Sequence, residues 1–417
     1  MPYQERAVFT LEMKETHTIL IPMMLPIHFR LLKKLFALEG YKVEFLDSMS
    51  SNIINVGLKY VNNDTCYPAQ LTIGQLLDAT LNLGYDPHKI ALLLPQTGGG
   101  CRASNYISLL RKALKKANLE FIPVLSFNLL GMEENPGFNL NKDFIKKAAF
   151  AVLYGDMIMN LKNQVRPYEV TNGATAQAVD AVCKYLESEF EADRGFTRKQ
   201  LKNNCNVILK EFAGVQQQSN VKKTRVGIVG EIYVKFAPLG NNNLEAMLEN
   251  ENCEVVVPGL MDFVLYTIDA GVEDYHLYGM GKFKAIVSEW LFQSIVSLQN
   301  VVIKSYQGYS QFRPQTPFKK TKALSKKIIH EGTKMGEGWL LTGEMVELIE
   351  SGVDNIVCTQ PFGCLPNHIV GRGMLRKIKS AYPNANIVPI DYDASASRVN
   401  QENRIKLMLA STREINY

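Results

Sequence analysis

Three cysteines stand where chemistry can be done: Cys66, Cys101 and Cys364. Cys101 closes the turn Pro95-Gln96-Thr97-Gly98-Gly99-Gly100-Cys101. An apolar run at 89–94 reads as a buried strand before it, and residues 107–117 read as an amphipathic helix after it. Consecutive glycines let backbone approach whatever lies there, and a helix N-terminus aims free N–H groups and a positive dipole end at it. Both effects are expected to favour the thiolate, the form that attacks and that binds metal. A Gly-rich strand-to-helix turn alone points to phosphate, whereas a cysteine at its close points to a metal or cluster ligand. A tight turn followed by a buried structural thiol fits the same residues.

The design recurs. Residues 355–358 read as a strand, Thr359-Gln360-Pro361-Phe362-Gly363-Cys364 as its turn, and Leu365-Pro366-Asn367-His368 as the entry to a helix. Each copy then carries a Leu-Arg-Lys triplet, Leu110-Arg111-Lys112 and Leu375-Arg376-Lys377, and ends in a strand with a proline, at 121–124 and 386–389. Cys66, in Asn62-Asn63-Asp64-Thr65-Cys66-Tyr67-Pro68, precedes a helix expected over 69–83, with Asp64 or Thr65 as N-cap and Pro68 in the first turn. Three cysteines thus share one local setting. Of the others, Cys183 and Cys205 fall in helical stretches, Cys253 at a strand start and Cys358 inside a strand, although a bent strand end would present Cys358 six residues from Cys364.

Three thiolates without an evident fourth ligand suit structural zinc, which closes with four, less well than an iron–sulfur cluster that leaves one iron open. His368 is the candidate fourth ligand, and a packing role fits it equally.

The elements that must position these residues read as α/β. A strand over 16–22, a helix over 26–38 closed by Gly40 and a strand over 41–46 form a βαβ unit. The same order recurs from Arg225-Val226-Gly227-Ile228-Val229-Gly230-Glu231-Ile232-Tyr233 through a helix near 243–249 to a strand at 253–257. The expected organisation is a linker-like lead-in at 1–15, an α/β domain at 16–135, a helical segment at 136–222 and a second α/β domain at 223–417 with a helical insertion near 263–352. Both domains are expected to be Rossmann- or flavodoxin-like with parallel sheets, whose ligands gather at the carboxyl ends of strands. Facing domains would let Cys101 and Cys364 converge, with Cys66 joining them. Tyr154-Gly155-Asp156 and Arg166-Pro167-Tyr168-Glu169 read as turns or helix ends. Gly336-Glu337-Gly338-Trp339 reads as a loop approaching something closely, or as a helix start with a buried tryptophan.

Composition bounds the function. A net charge of +5 is mild, and the one dense basic run, 319–327, lacks interleaved aromatics and reads as a solvated helix face rather than a nucleic-acid surface. The most apolar region, 285–303, is interrupted by Glu289, Gln293, Gln299 and Asn300, which suits a core helix better than a membrane span. Seven cysteines without secretory features suit a reducing cytoplasm.

The motifs around Cys66, Cys101 and Cys364, with Arg166-Pro167-Tyr168-Glu169, Gly230-Glu231-Ile232-Tyr233 and Gly336-Glu337-Gly338-Trp339, resemble the 2-hydroxyacyl-CoA dehydratase superfamily. More narrowly, they resemble the carboxyl-terminal part of the large activase-related proteins, close to the double-cubane cluster proteins, over nearly the whole chain from Phe9 onward. The resemblance implies an oxygen-sensitive iron–sulfur protein of anaerobes in which Cys66, Cys101 and Cys364 hold a [4Fe-4S] or double-cubane cluster. It also implies a separate ATP-hydrolysing activator with its own cluster. The chain has no Gly-x-x-x-x-Gly-Lys-Ser/Thr loop, which agrees with ATP hydrolysis occurring elsewhere.

Three functions follow as expectations: a reductase-like electron acceptor acting on a small molecule, expected as a homodimer; a 2-hydroxyacyl-CoA dehydratase subunit; or a non-catalytic zinc or scaffold protein. Gln96, Asn105, Glu231 and Gln360 are candidates to hydrogen-bond cluster sulfurs or substrate, and Arg102 to offset negative charge. Each could equally satisfy loop backbone.

Overall fold

The computed structural model describes residues 6–97, 100–127 and 135–415; Gly98 and Gly99 of the Gly-rich turn lie outside the described residues. The chain is α/β, with two four-stranded sheets whose strands are all parallel. In the first, β1 (Thr18–Pro22), β2 (Lys42–Leu46), β3 (Ile90–Pro95) and β4 (Val124–Phe127) lie in the order β2-β1-β3-β4. In the second, β5 (Thr224–Gly230), β6 (Cys253–Val256), β7 (Asn355–Pro361) and β8 (Asn386–Tyr392) lie in the order β6-β5-β7-β8. The two orders are the same when each sheet is numbered from its own start, so the repeat read in the sequence is a repeat of topology. It is the flavodoxin-like order, in which the crevice opens between the first and third strands. Ile90 to Leu94 are buried throughout, and so is all of β7, as expected for inner strands covered on both faces.

Both third strands end in proline, Pro95 and Pro361, which closes the ladder where each cysteine turn begins. The strand before Cys364 runs three residues further than its apolar run indicates, because Thr359, Gln360 and Pro361 pair in register with Ile390, Asp391 and Tyr392.

The helix that starts beside Cys66, Tyr67–Asn82, is buried along almost its whole length. It crosses the preceding helix, Asn52–Tyr60, at two glycines. A Cβ on Gly74 would meet the Ile53 carbonyl oxygen at 2.4 Å, and one on Gly57 the Gln70 carbonyl oxygen at 2.4 Å. No side chain fits between these backbones, so the start of Tyr67–Asn82 is fixed against its neighbour.

Four expectations change. The lead-in is not a free linker over its described part. Phe9 is fully buried in the largest core cluster and its backbone bonds to Asn135 Oδ1 and Gly137 N, while Met13–Thr16 forms a helical turn. Tyr154-Gly155-Asp156 is neither turn nor helix end but the middle of the helix Lys142–Val165, where Gly155 admits the His28 ring and Asp156 accepts from His28 Nε2 at 2.8 Å. Lys322, in the basic run, turns inward to Asp269 and Glu273, each at 2.7 Å. The helix Lys282–Ser305 is only half a core helix, since Phe292, Ile295, Val296, Val301 and Val302 join the core but the preceding turns do not. It is the one stretch of the described residues long and apolar enough to cross a membrane, which with its buried half is weak evidence for a span.

Phe9→Ala tests whether the lead-in is part of the fold. Loss of a fully buried phenylalanine is expected to lower unfolding stability by about 3–5 kcal/mol in urea denaturation. A change below about 0.5 kcal/mol, the size usual for surface substitutions, would return residue 9 to a linker.

Candidate functional site: three helix-capping cysteines

Each of the three cysteines is the N-cap residue of a helix: Cys66 of Tyr67–Asn82, Cys101 of the 3-10 turn Arg102–Asn105 that runs into Tyr106–Lys116, and Cys364 of Leu365–Val370. For the first helix this moves the cap from the expected Asp64 or Thr65 to the cysteine itself. Cys101 follows β3 and Cys364 follows β7, the third strands of the two equivalent sheets, so both sit at switch points.

The sheets meet here. Tyr67 N donates to the Phe362 carbonyl oxygen at 2.9 Å, and a Cβ on Gly363 would come within 3.1 Å of Cys66 Cα. Gly363 also holds φ at +71°, so glycine is demanded there by both conformation and space. Cys66 Sγ lies 3.2 Å from the Tyr106 hydroxyl, at the start of the helix that Cys101 leads into. A Cβ on Gly100 would overlap Met335, and one on Gly336 would come within 2.9 Å of Pro366 Cβ. The Cys66, Cys101 and Cys364 turns and the segment 335–338 therefore close on one another.

Burial sets the thiol chemistry. It pushes the Cys66 thiol up, the Cys101 thiol up to about 11 and the Cys364 thiol well up. The expected thiolates are thus corrected: the N–H groups of Ala69, Ala103 and Asn367 face the three sulfurs and oppose the shift, but desolvation outweighs them. The sulfurs also sense one another and two buried carboxyls. Cys101 feels Glu337, Cys66 and Glu231, and Cys364 feels Glu337, Glu231 and Cys101.

Those carboxyls form a pair. Glu231 caps Ile232–Phe236 by accepting from Val234 N at 2.9 Å, and Glu337 accepts from Ile232 N at 3.0 Å. Burial, then for Glu231 the neighbouring Glu337, pushes both above the ordinary carboxylate range. Lys235 works against that rise in both while its ammonium is bonded to Glu344 at 2.9 and 3.2 Å, with both side chains buried. The site is therefore a group of three thiols and two carboxyls raised above their ordinary range, with a buried ion pair behind them.

The other candidates divide. Glu231 is in the group. Arg102 is exposed and lies among the charges that favour the Cys66 thiolate. Gln96 holds its own turn instead, donating to the Ser104 carbonyl oxygen at 3.0 Å and accepting from Ser126 Oγ at 2.9 Å. Asn105 is an exposed N-cap without a side-chain capping bond. Gln360 is fully buried beside the Cys358 thiol with no nitrogen or oxygen partner for its amide, and Asn367 donates from Nδ2 to the Thr359 carbonyl oxygen at 3.2 Å while its Oδ1 lacks a partner. Cys358 is fully buried among Val229, Met345 and Ile356, where burial pushes its thiol up to about 12, and it is not brought to the three cysteines. His368 meets the site through backbone, its N–H donating to the Cys364 carbonyl oxygen at 3.2 Å. The sequence assigns Glu337 no role of its own, although the glycines flanking it mark a close approach, and both hold positive φ. Lys235 and Tyr106 carried none. Met335, Phe362 and Leu365 stand exposed around the group as an apolar lip.

Fold and site together define a two-sheet α/β protein with a buried thiol–carboxyl centre at its paired switch points. Among the described residues, no three His, Cys, Asp or Glu side chains are already arranged to hold a metal ion. No family model matches the chain, and no curated protein matches it.

The carboxyl pair makes stability pH-dependent in the metal-free protein. A carboxyl raised in the fold binds more protons folded than unfolded, so its contribution is complete below the ordinary value of 4.5 and is lost as pH rises through the folded value. Urea midpoints of the metal-free chain are expected to fall from pH 5 upward, and Glu231→Gln, which keeps an acceptor for Val234 N, to flatten that fall. An unchanged slope in the variant would remove Glu231 from the coupled pair.

Proposed function

We propose that this chain is an iron–sulfur protein in which Cys66, Cys101 and Cys364 hold one cluster with an open position. It accepts low-potential electrons from a separate ATP-hydrolysing activator with its own cluster and uses them for reductive chemistry on a small molecule. The observation that carries this reading is the convergence of three remote segments, each delivering a cysteine at a helix N-cap, on the facing switch points of two equivalent sheets. The motifs that resemble the 2-hydroxyacyl-CoA dehydratase superfamily support the same residues.

The donor set fits such a group. Thiols pushed up in pKa by desolvation, Cys66 and Cys364 buried and Cys101 half-buried, are weaker nucleophiles, whereas coordination to a metal deprotonates a thiol outright. Gln360, whose amide lies beside Cys358, and Asn367, whose Oδ1 lacks a partner while its Nδ2 donates to the Thr359 carbonyl oxygen, flank Cys364 in the chain and supply polar atoms of the kind that buried sites pair. When bound, an iron–sulfur cluster supplies one-electron transfer at a potential set by charge, hydrogen bonding and solvent access. This chain's residues provide those controls. Backbone N–H groups face the sulfurs, Glu231 and Glu337 are carboxyls raised by burial, Lys235 balances charge, and exposed Met335, Phe362 and Leu365 form an apolar lip. Cys66, Cys101, Cys183, Cys205, Cys358 and Cys364 are in no disulfide, which suits a reducing compartment such as the cytoplasm. A 2-hydroxyacyl-CoA dehydratase would use the same centre and separates from this reading at the substrate.

The test is iron, sulfide and zinc content of protein purified without oxygen, with electron paramagnetic resonance of the reduced sample. Iron and sulfide are expected in the parent and in Cys358→Ala, and are expected to fall at least about tenfold in Cys66→Ala, Cys101→Ala and Cys364→Ala, the scale of losing a ligand. Zinc without sulfide, or no metal in any sample, would sink the redox function. With a cluster present, turnover of acyl-CoA and of small acceptors with an added activator then separates the two substrates.

A further inference from the structure

We infer that the second sheet carries a binding site for a free α-amino acid with a carboxamide side chain, in a cavity remote from the cysteines. The cavity is walled by β6 and by the helix Gly338–Glu350, and it has a volume of about 110 Å³, against roughly 10–15 Å³ needed for one water. Glu347, on its wall, stands ten residues after Glu337, the N-cap of that helix, and therefore about 15 Å along it from the carboxyl pair at the cysteines. Pairing off the charges that line the cavity leaves two. Glu344 is bonded to Lys235 and Arg313 to Glu254, while Asp262 accepts from Gln299 Nε2 at 2.9 Å and is pushed well above the ordinary carboxyl range by burial. Arg225 and Glu347 remain, both half-buried. Among the described residues neither has an ion-pair partner, and they form no pair with each other, so space separates them. Arg225 donates to the Gly352 carbonyl oxygen at 3.0 Å, and Glu347 accepts from the hydroxyls of Thr316 and Ser351.

Those charges select the ligand's head. Bonds to Ser351 and Gly352, neighbours in the chain, set the carboxylate and the guanidinium at the same carboxyl end of the helix. A cation and an anion held apart at one end of a cavity match the carboxylate and the ammonium that an α-amino acid carries on a single carbon. A simple carboxylate would leave Glu347 unmatched, and a simple amine would leave Arg225 unmatched. The walls select the side chain. Val255, Val257 and Leu348 are buried and apolar. Asn163 is 4% exposed and its Oδ1 has no partner, and Gln315 Nε2 is buried without one, so the same cavity holds an acceptor and a donor that both lack a bond. Gly259 makes room for the Gln315 amide, since a Cβ there would meet its Nε2 at 2.8 Å. A carboxamide presents N–H and C=O side by side and supplies a partner to each. Water would also bond these two atoms, but it brings no charge to Arg225 or Glu347.

This inference does not depend on what the cysteines hold. Its test is calorimetric titration of the full chain at neutral pH with L-asparagine and with two isosteres, succinamate, which lacks the ammonium, and β-alaninamide, which lacks the carboxylate. Circular dichroism confirms each variant's fold. L-Asparagine is expected to bind saturably, and each isostere at least about tenfold more weakly, the scale of one lost charge-assisted bond. Arg225→Gln is expected to weaken asparagine about tenfold or more and to leave β-alaninamide unchanged, because that isostere never used the guanidinium. Glu347→Gln, which keeps acceptors for Thr316 and Ser351, is expected to weaken asparagine by a similar factor and to leave succinamate unchanged. No saturable binding of asparagine, an isostere as tight as asparagine, or a variant that weakens the isostere lacking its charge as much as it weakens asparagine would overturn the proposal.

Discussion

The joint between the Cys66 helix start and the Gly363 turn is the constraint on which the rest of the structure depends. One backbone bond, Tyr67 N to the Phe362 carbonyl, and one missing Cβ bring the two sheets' switch points together. Behind the joint, Gly57 and Gly74 lock the Cys66 helix to its neighbour, so its position cannot be adjusted by repacking side chains. The parallel sheets supply the turns, while contact at glycines supplies their registration.

Dehydration governs the chemistry at that joint. Helix N-termini normally help a thiol ionise, yet here the loss of water costs the thiolates more than the backbone N–H groups return. The same loss raises two carboxyls side by side, with a buried ion pair between Lys235 and Glu344 alongside them. Such a centre favours neutral protonated groups until a cation enters, and a positively charged occupant would reverse that preference for the thiols and carboxyls together.

Much of this was legible in the residues. Apolar runs bounded by glycine and proline located most of the strands, and the recurrence of strand, turn, cysteine and helix anticipated equivalent sheets and placed Cys101 and Cys364 at matching points. What stayed hidden was set by tertiary contact. Gly155 looks like a turn residue because its purpose, admitting the His28 ring to a helix interior, has no local signature. Phe9 in a polar lead-in carries no periodicity, and its burial is decided by Asn135 and Gly137 far along the chain. Cys66 does not read as a cap because cysteine is not among the residues that usually cap helices, whereas Asp64 and Thr65 are the right types two residues and one residue too early. Lys235, in the short helix Ile232–Phe236 after β5, and Glu337, at the start of the helix Gly338–Glu350 before β7, belong to the centre through a juxtaposition that no spacing rule describes.

The choice of cysteine at three helix starts also bears on order. A Ser, Thr, Asp or Asn cap is worth about 1 kcal/mol, and a sulfur accepts hydrogen bonds only weakly, so none of the three helices has a strong side-chain cap at its first turn. The first turns after Cys101 and Cys364 are accordingly softer than the one after Cys66, which the Phe362 carbonyl and the glycine crossing hold. Whatever binds the three sulfurs ties those ends to one another, and by mass action it stabilises the folded chain in proportion to its occupancy. Amide exchange at 67–70, 102–106 and 365–368 would then report loading directly, with protection spreading outward from the sulfurs into both sheets.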